Sequence, residues 1–334
     1  MITDARVFQD EFVPSDVVHR DAEINYLSST LRPITDGDPI EPVCLFGPSG
    51  TGKTCLARYT VEQLREEVID LNTQYVNCWE DHSRFKTLYR ILDGIGKTLN
   101  IHRQSTPTDV LLDRLRDYEG APYVVILDEV DQLEDKDLLY DLRRIRNLNL
   151  LLIANDETEL FAHLDERVAS RLQPCTRISF DTYGDDELAS ILQDRVRWGL
   201  RPDVITDAQL RDIADAAAGD ARIAIGVLRV AARTASRNDA NAIHEEHIEA
   251  AVAEAKAEIK RKTEEKLTHH QQVLYDIITE RGEVAPGTLY EAYAERVDDP
   301  KTKRTMRNYL QKMEHYNLIT AVGNDGGREY HLRG

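Results

Sequence analysis

Cysteine is scarce in this 334-residue sequence. Cys44, Cys55, Cys78 and Cys175 are the only four, and none forms a C-x-x-C pair. That usage excludes a disulfide framework and a zinc-ribbon spacing, so reduced thiols in mainly apolar segments are expected. The ten histidines include His269-His270 but no H-x-x-x-H pattern, which removes the commonest helical metal motif. No apolar run approaches the length of a membrane span and no leader pattern opens the sequence, so a cytoplasmic protein without a membrane partner is expected. Internal repeats and low-complexity stretches are also absent. Lysine is rare, with 11 against 31 arginines, and acids exceed bases by enough to give a net charge of −18. An acidic, lysine-poor surface is the composition expected of a protein living in concentrated salt, where self-repulsion is screened within roughly 3 Å at molar ionic strength.

What is present is a chain 41% hydrophobic with a mean hydropathy of −0.48, enough for two or three domains with cores of their own. An apolar run ends in Gly47-Pro-Ser-Gly50-Thr-Gly52-Lys53-Thr54, the complete G-x-x-x-x-G-K-[ST] pattern, and a helix-forming stretch follows. Glycines at this spacing let backbone N–H groups curl toward phosphate oxygens, and the following helix adds its positive N-terminal end. The expected contacts to ATP or ADP are Gly50, Thr51, Gly52, Lys53, Thr54 and Cys55, with Lys53 on the β/γ-phosphates and the Thr54 hydroxyl on Mg²⁺.

Hydrolysis needs acids beside such a loop, and Tyr123-Val-Val-Ile-Leu-Asp128-Glu129-Val-Asp131 reads as a buried parallel strand that ends in them. Asp128 is expected to hold Mg²⁺ and Glu129 to orient or deprotonate the attacking water. A third strand, from Asn149, ends in Asn155-Asp156, where the neutral Asn155 amide can report the γ-phosphate; the plainer alternative is a turn or helix cap. Arg167 and Arg171 lie four apart on a short helix. Arg171 is the candidate finger for a neighbouring subunit's ATP, with Arg167 the other possibility and a surface pair to Asp165 or Glu166 the alternative.

After Phe180 the texture changes to alanine-rich amphipathic helices over 184–200, 206–218, 220–237 and 244–262, with Thr206 and Asp220 as caps and Gly219 as a break. Such a bundle must lean on the first domain to cover its apolar face. Arg222 opens the third of these helices, at the edge best placed to turn back to a phosphate.

In this order the motifs resemble those of the AAA+ ATPases of the archaeal origin-recognition and cell-division-cycle type, which are replication initiators. The likeness rests on Phe12-Val-Pro-Ser-Asp-Val-Val-His19-Arg20, the glycine-rich loop, Leu127-Asp-Glu-Val-Asp131, Asn155-Asp156, Ser170-Arg171-Leu172, Phe180-Asp-Thr-Tyr183 with Glu187-Leu-Ala-Ser-Ile-Leu192, and Gly219-Asp-Ala-Arg222. It implies an α/β fold, a P-loop parallel-sheet domain over 1–181 with an α-helical lid over 182–261. It implies that His19 and Arg20 flank the adenine, that Tyr183 and Arg195 are lid contacts, that Arg222 is the second sensor, and that Arg171 is the intersubunit finger. A slow, Mg²⁺-dependent hydrolysis of ATP to ADP and phosphate follows from the same likeness. So do double-stranded origin DNA, a replicative helicase, self-association on DNA and a nucleoid-associated location. A helical insertion from Trp79 to about Asn100 is a further implication, whereas the basic N-terminal arm seen in the family is not expected here.

The last seventy or so residues, 262–334, read as a winged-helix domain. Thr268-His-His-Gln271 and Thr288-Leu-Tyr-Glu291 form capping boxes for helices near 269–281 and 289–296, and Asp299-Pro300 suggests the start of a third running to Tyr316. Two strands about Gly326-Gly327 complete the pattern. Lys303, Arg304, Arg307, Asn308 and Lys312 are expected outward on the third helix as DNA contacts, with Arg328 on the wing. From Lys262 onward 11 Lys and Arg face 12 Asp and Glu, so the excess of acid over base lies almost wholly before this domain. Two other functions share this layout, a signalling or defence ATPase with a protein-binding winged helix and a branch-migration DNA motor.

Overall fold

Five short parallel strands organise the computed structural model, which describes all residues except 69, 163, 324–327 and 334 and the side chain of residue 315. The first part of the chain gives α1 (Asp21–Leu31), β1 (Val43–Phe46), α2 (Lys53–Glu67), β2 (Asn72–Asn77), α3 (Arg84–Asp93), α4 (Thr108–Arg116), β3 (Tyr123–Asp128), α5 (Asp137–Arg143), β4 (Leu148–Ala154), α6 (Glu157–Ala162), α7 (Glu166–Leu172) and β5 (Thr176–Ser179). The sheet order is β2-β3-β4-β1-β5, all parallel, and β1, β3 and β4 are buried along their whole lengths. Side chains alternate between the two faces: Cys44, Val125, Leu127, Leu150 and Leu152 pack toward α3, α4 and α5, while Val43, Val124, Ile126, Leu151 and Ile153 pack toward α1 and α2. The mainly apolar sequences of β1, β3 and β4 are the consequence of helices covering both faces.

The helices after Phe180 are α8 (Asp185–Gly199), α9 (Asp207–Ala217), α10 (Ala221–Arg237) and α11 (Glu245–Glu265). Thr206 caps α9 through the Gln209 N–H, and the Asp220 carboxylate caps α10 by accepting from the N–H groups of Arg222 and Ile223. The chain's beginning belongs to this bundle: Ile2 bridges Leu200, and Phe8 fills the space beside Gly199.

The chain divides into two compact units, Met1–Val252 and Ala253–Gly334, with the division inside α11. The second unit holds α12 (His269–Arg281), β6 (Glu283–Val284), α13 (Pro286–Arg296), α14 (Lys303–His315), β7 (Ile319–Val322) and β8 (Glu329–Leu332), and its antiparallel sheet runs β6-β8-β7. Leu274, Ile278, Leu289, Tyr293, Met306, Leu310 and Met313 form its core.

Several helix ends differ from the sequence expectation. α14 starts at Lys303 under a Thr302 cap, not at Pro300, because the Thr302 hydroxyl accepts from Thr305 N–H two residues beyond the proline. α13 starts at Pro286 instead of 289, the proline occupying the first turn, where its missing N–H costs nothing. In the expected insertion, α3 spans only Arg84–Asp93, ending where Gly94 and Gly96 break the periodicity, and the next helix, α4, begins beyond it at Thr108. The expected Gly326-Gly327 turn lies outside the described residues. All four cysteines are free thiols, three of them buried and Cys55 half-buried. No helix among the described residues is long and apolar enough to cross a membrane.

Candidate functional site

Strand order decides which loops meet. Because β4 lies between β3 and β1, Asn155 at its end sits between the acids after β3 and the loop after β1, and Gly47 N–H donates to the Asn155 carbonyl at 3.2 Å. Lys53 opens α2 and folds back into the loop. Its Nζ donates to the carbonyls of Gly47 at 2.6 Å and Pro48 at 2.7 Å and to Asn155 Oδ1 at 3.1 Å. Only 7% of the residue is exposed, and burial pushes its pKa down to about 8 against the attraction of Asp128. A buried ammonium whose hydrogen bonds all go to neutral carbonyl oxygens is poorly compensated, which suits it to a phosphate anion.

Asp128 ends β3 with 6% exposure. Thr54 Oγ1 donates to its Oδ2 at 2.7 Å, the Tyr75 hydroxyl donates to the same oxygen at 2.9 Å, and Glu129 N–H donates to Oδ1 at 2.9 Å. Burial raises the carboxyl's pKa and these three donors oppose it. The donor set of a hydroxyl and a carboxylate, both hard oxygens, fits Mg²⁺. Glu129 adopts a left-handed backbone with φ of 53°, strain of about 1–3 kcal/mol of the kind that gathers at functional sites.

The other face of the loop meets the hinge and lid. Arg20 is buried, and its Nη2 donates to the carbonyls of Thr51 at 3.3 Å and Asp181 at 2.6 Å while its guanidinium lies 4.3 Å from the Tyr183 ring centroid. Arg195 is buried on α8 over the Phe12 ring, its pKa lowered by burial, and its Nη1 has no hydrogen-bond partner among the described residues. Such an orphaned donor fits a nucleotide acceptor. His19 is exposed and, like Glu129, left-handed, with φ of 61°. Arg222 pairs with Asp220 at 3.1 Å on the half-exposed start of α10, near enough to Lys53 to disfavour its charge.

The lid touches the phosphate loop directly: Ala221 N–H donates to the Gly50 carbonyl at 3.1 Å, and a Cβ at Gly50 would lie 2.0 Å from Asp220 Oδ1. With φ of +79° as well, Gly50→Ala is expected to cost about 2 kcal/mol and to loosen α10 from the loop. Thermal unfolding together with proteolysis in the 217–222 segment checks this, the variant showing a lower midpoint and faster cleavage.

The two arginines of α7 differ. Arg167 pairs with Asp137 at 3.0 Å and stacks over Tyr140, whereas Arg171 is exposed and has no ion pair among the described residues. In the second unit Lys303, Arg304, Arg307 and Asn308 are exposed along α14. Lys312, expected outward, is instead 7% exposed: it stands three residues after Tyr309, on the border of the core face. Arg328 pairs with Glu314 at 3.0 Å and lies over the Tyr330 ring, its side chain still 38% exposed.

Sequence reasoning missed Tyr75 and the contact of Asp220 with Gly50. Register places Asn77 opposite Asp128, so Tyr75 shares the face of that carboxylate, a fact that needs the β2–β3 pairing to be known.

Comparison with known proteins agrees with this geometry. Residues 41–162 match the AAA domain and 189–253 match the Cdc6 AAA+ ATPase-type lid domain. The chain is 62% identical over 308 residues to ORC1-type DNA replication protein 1 of Halobacterium salinarum, covering 92% of this chain and 100% of that protein. It is 50% identical over 332 residues to ORC1-type DNA replication protein 9 of the same organism, covering 99% and 94%. Among solved structures, the Aeropyrum pernix ORC1 protein in complex with DNA superposes with a TM-score of 0.78 at 25% identity, covering 100% of this chain and 94% of that one. With these similarities and a complete phosphate loop, acid pair and lid, the chain belongs to the ORC1-type DNA replication proteins of the AAA+ ATPase family.

Proposed function

We propose that this protein is a nucleotide-switched replication initiator that binds double-stranded origin DNA and helps load the replicative helicase. The observation that carries the reading is the seating of α10 on the phosphate loop, through Ala221 N–H to the Gly50 carbonyl and Asp220 against Gly50. A ligand in that loop must share space with the lid, so occupancy and lid position are coupled.

Bound ATP supplies the phosphoryl group to be transferred, and Mg²⁺ the charge that offsets its oxygens. Lys53 exchanges its carbonyl partners for phosphate oxygens, Thr54 and Asp128 hold the metal, and Glu129 takes or orients the proton of the attacking water. Asn155 contacts the terminal phosphate, while His19, Arg20, Tyr183, Arg195 and Arg222 meet the rest of the nucleotide from the hinge and lid. Turnover is slow, because a switch whose states recruit different partners gains nothing from rapid cycling.

The test is footprinting on genomic fragments with ATP, ADP or no nucleotide in concentrated potassium chloride. A discrete, nucleotide-sensitive footprint supports the reading. Duplex-stimulated turnover without a preferred sequence points to a branch-migration motor, and no duplex affinity at all points to a signalling ATPase.

We assign sequence reading to the exposed face of α14 as part of a winged helix, with Arg304 and Arg307 at base edges and Lys303 and Asn308 beside them. A bidentate guanidinium contact to guanine O6 and N7 gives about 1–3 kcal/mol of discrimination. Alanine at both arginines is therefore expected to bring origin and scrambled duplexes to similar affinity, measured across a salt series. An unchanged preference would make this unit a protein-binding module.

A further inference from the structure

We infer that Tyr75 is a positioning residue for the Asp128 carboxylate, fixing the orientation in which that group would hold a magnesium ion. The inference rests on the proposed role of Asp128. Packing alone asks only for an aromatic ring at this place: Tyr75 is half-buried against the core between the sheet and α1 and α2, and the Arg58 guanidinium lies 5.2 Å from its ring centroid. Phenylalanine would satisfy both contacts. The hydroxyl makes one hydrogen bond among the described residues, to Asp128 Oδ2 at 2.9 Å.

That bond matters because of what else holds the same oxygen. Thr54 Oγ1 donates to Oδ2 at 2.7 Å, but Thr54 sits at the start of α2 and its oxygen is itself a proposed metal ligand, so its geometry answers to the ion. Tyr75 has no such second duty. It stands on β2, two residues before the Asn77 that pairs with Asp128, so sheet register fixes the distance from its backbone to the carboxylate. Arg58, over the ring, also reaches the Glu11 carbonyl at 3.5 Å, tying the tyrosine to the segment before α1. With the adjacent Glu129 N–H on Oδ1, the carboxylate is gripped at both oxygens, at one by its own chain and at the other by β2 and α2. Orientation of a metal-holding carboxylate by an outer hydroxyl commonly alters metal affinity by tenfold or more, on the order of 10–100-fold when it is removed.

The experiment uses the full chain with Tyr75→Phe and, as reference, Asp128→Asn. A fluorescent ATP analogue is titrated in excess EDTA and then across free Mg²⁺, reading the Mg²⁺ concentration at half-maximal enhancement of nucleotide binding. Tyr75→Phe is expected to raise that midpoint about tenfold, with EDTA-phase affinity and thermal unfolding midpoint unchanged. An unmoved Mg²⁺ midpoint in Tyr75→Phe, where Asp128→Asn moves it, overturns the inference while leaving the site reading intact. Equal losses in EDTA and in Mg²⁺ make the hydroxyl merely structural and overturn it too. If neither variant moves the midpoint, Asp128 does not hold the metal and both readings fall.

Discussion

Lys53→Ala is expected to lose nucleotide affinity by two orders of magnitude or more, whereas Glu129→Gln keeps binding and loses hydrolysis. The two failures separate because the groups face different events. The Lys53 ammonium is already buried among the Gly47 and Pro48 carbonyls and Asn155, so a phosphate that replaces those partners gains a nearly desolvated cation, worth about 3 kcal/mol. Glu129 follows Asp128, the proposed metal ligand, and the amide keeps its shape while losing the basic oxygen. General-base losses run to about 10²–10⁴-fold. Equilibrium ATP titration and single-turnover hydrolysis measure the two separately, and normal turnover in Glu129→Gln would remove Glu129 from the chemistry.

The parts legible in the sequence were those written locally. The phosphate loop, the apolar strand ending in Asp128 and the caps at Thr206 and Asp220 depend on residues a few positions apart, and each appears where its pattern places it. Family resemblance supplied what periodicity alone leaves open, namely the lid and the order of motifs. What escaped needed long-range register. Tyr75 is one tyrosine among 14, and nothing near it in sequence marks it; only the pairing of β2 with β3 brings its hydroxyl to Asp128. Asp220 was legible as a cap, yet its approach to Gly50 joins segments 170 residues apart and depends on how the bundle returns to the sheet. Lys312 shows the limit of a helical wheel: a border position reads as solvent-facing, and tertiary packing leaves the residue only 7% exposed.

Arg171→Ala is expected to abolish activation by self-association, a loss on the order of 10³–10⁵-fold in assembly-dependent turnover, while leaving the ATP affinity of the isolated chain unchanged. The argument starts from its neighbours. Arg167, one turn earlier on α7, is engaged by Asp137 and the Tyr140 ring of its own chain. Arg171 is exposed with no ion pair among the described residues, so its rigid guanidinium fork remains available to a charge that the monomer does not supply. Arg222 stands on the opposite footing: it lies at the start of α10 beside the phosphate loop, and Arg222→Ala should alter the nucleotide response even in the monomer. A shared site makes one further demand. Mixing Arg171→Ala chains with Glu129→Gln chains creates interfaces in which an intact Glu129 site faces an intact Arg171, so part of the turnover should return although neither variant has any alone. Absence of that rescue in mixtures shown by light scattering to co-assemble would confine the hydrolytic site to a single chain.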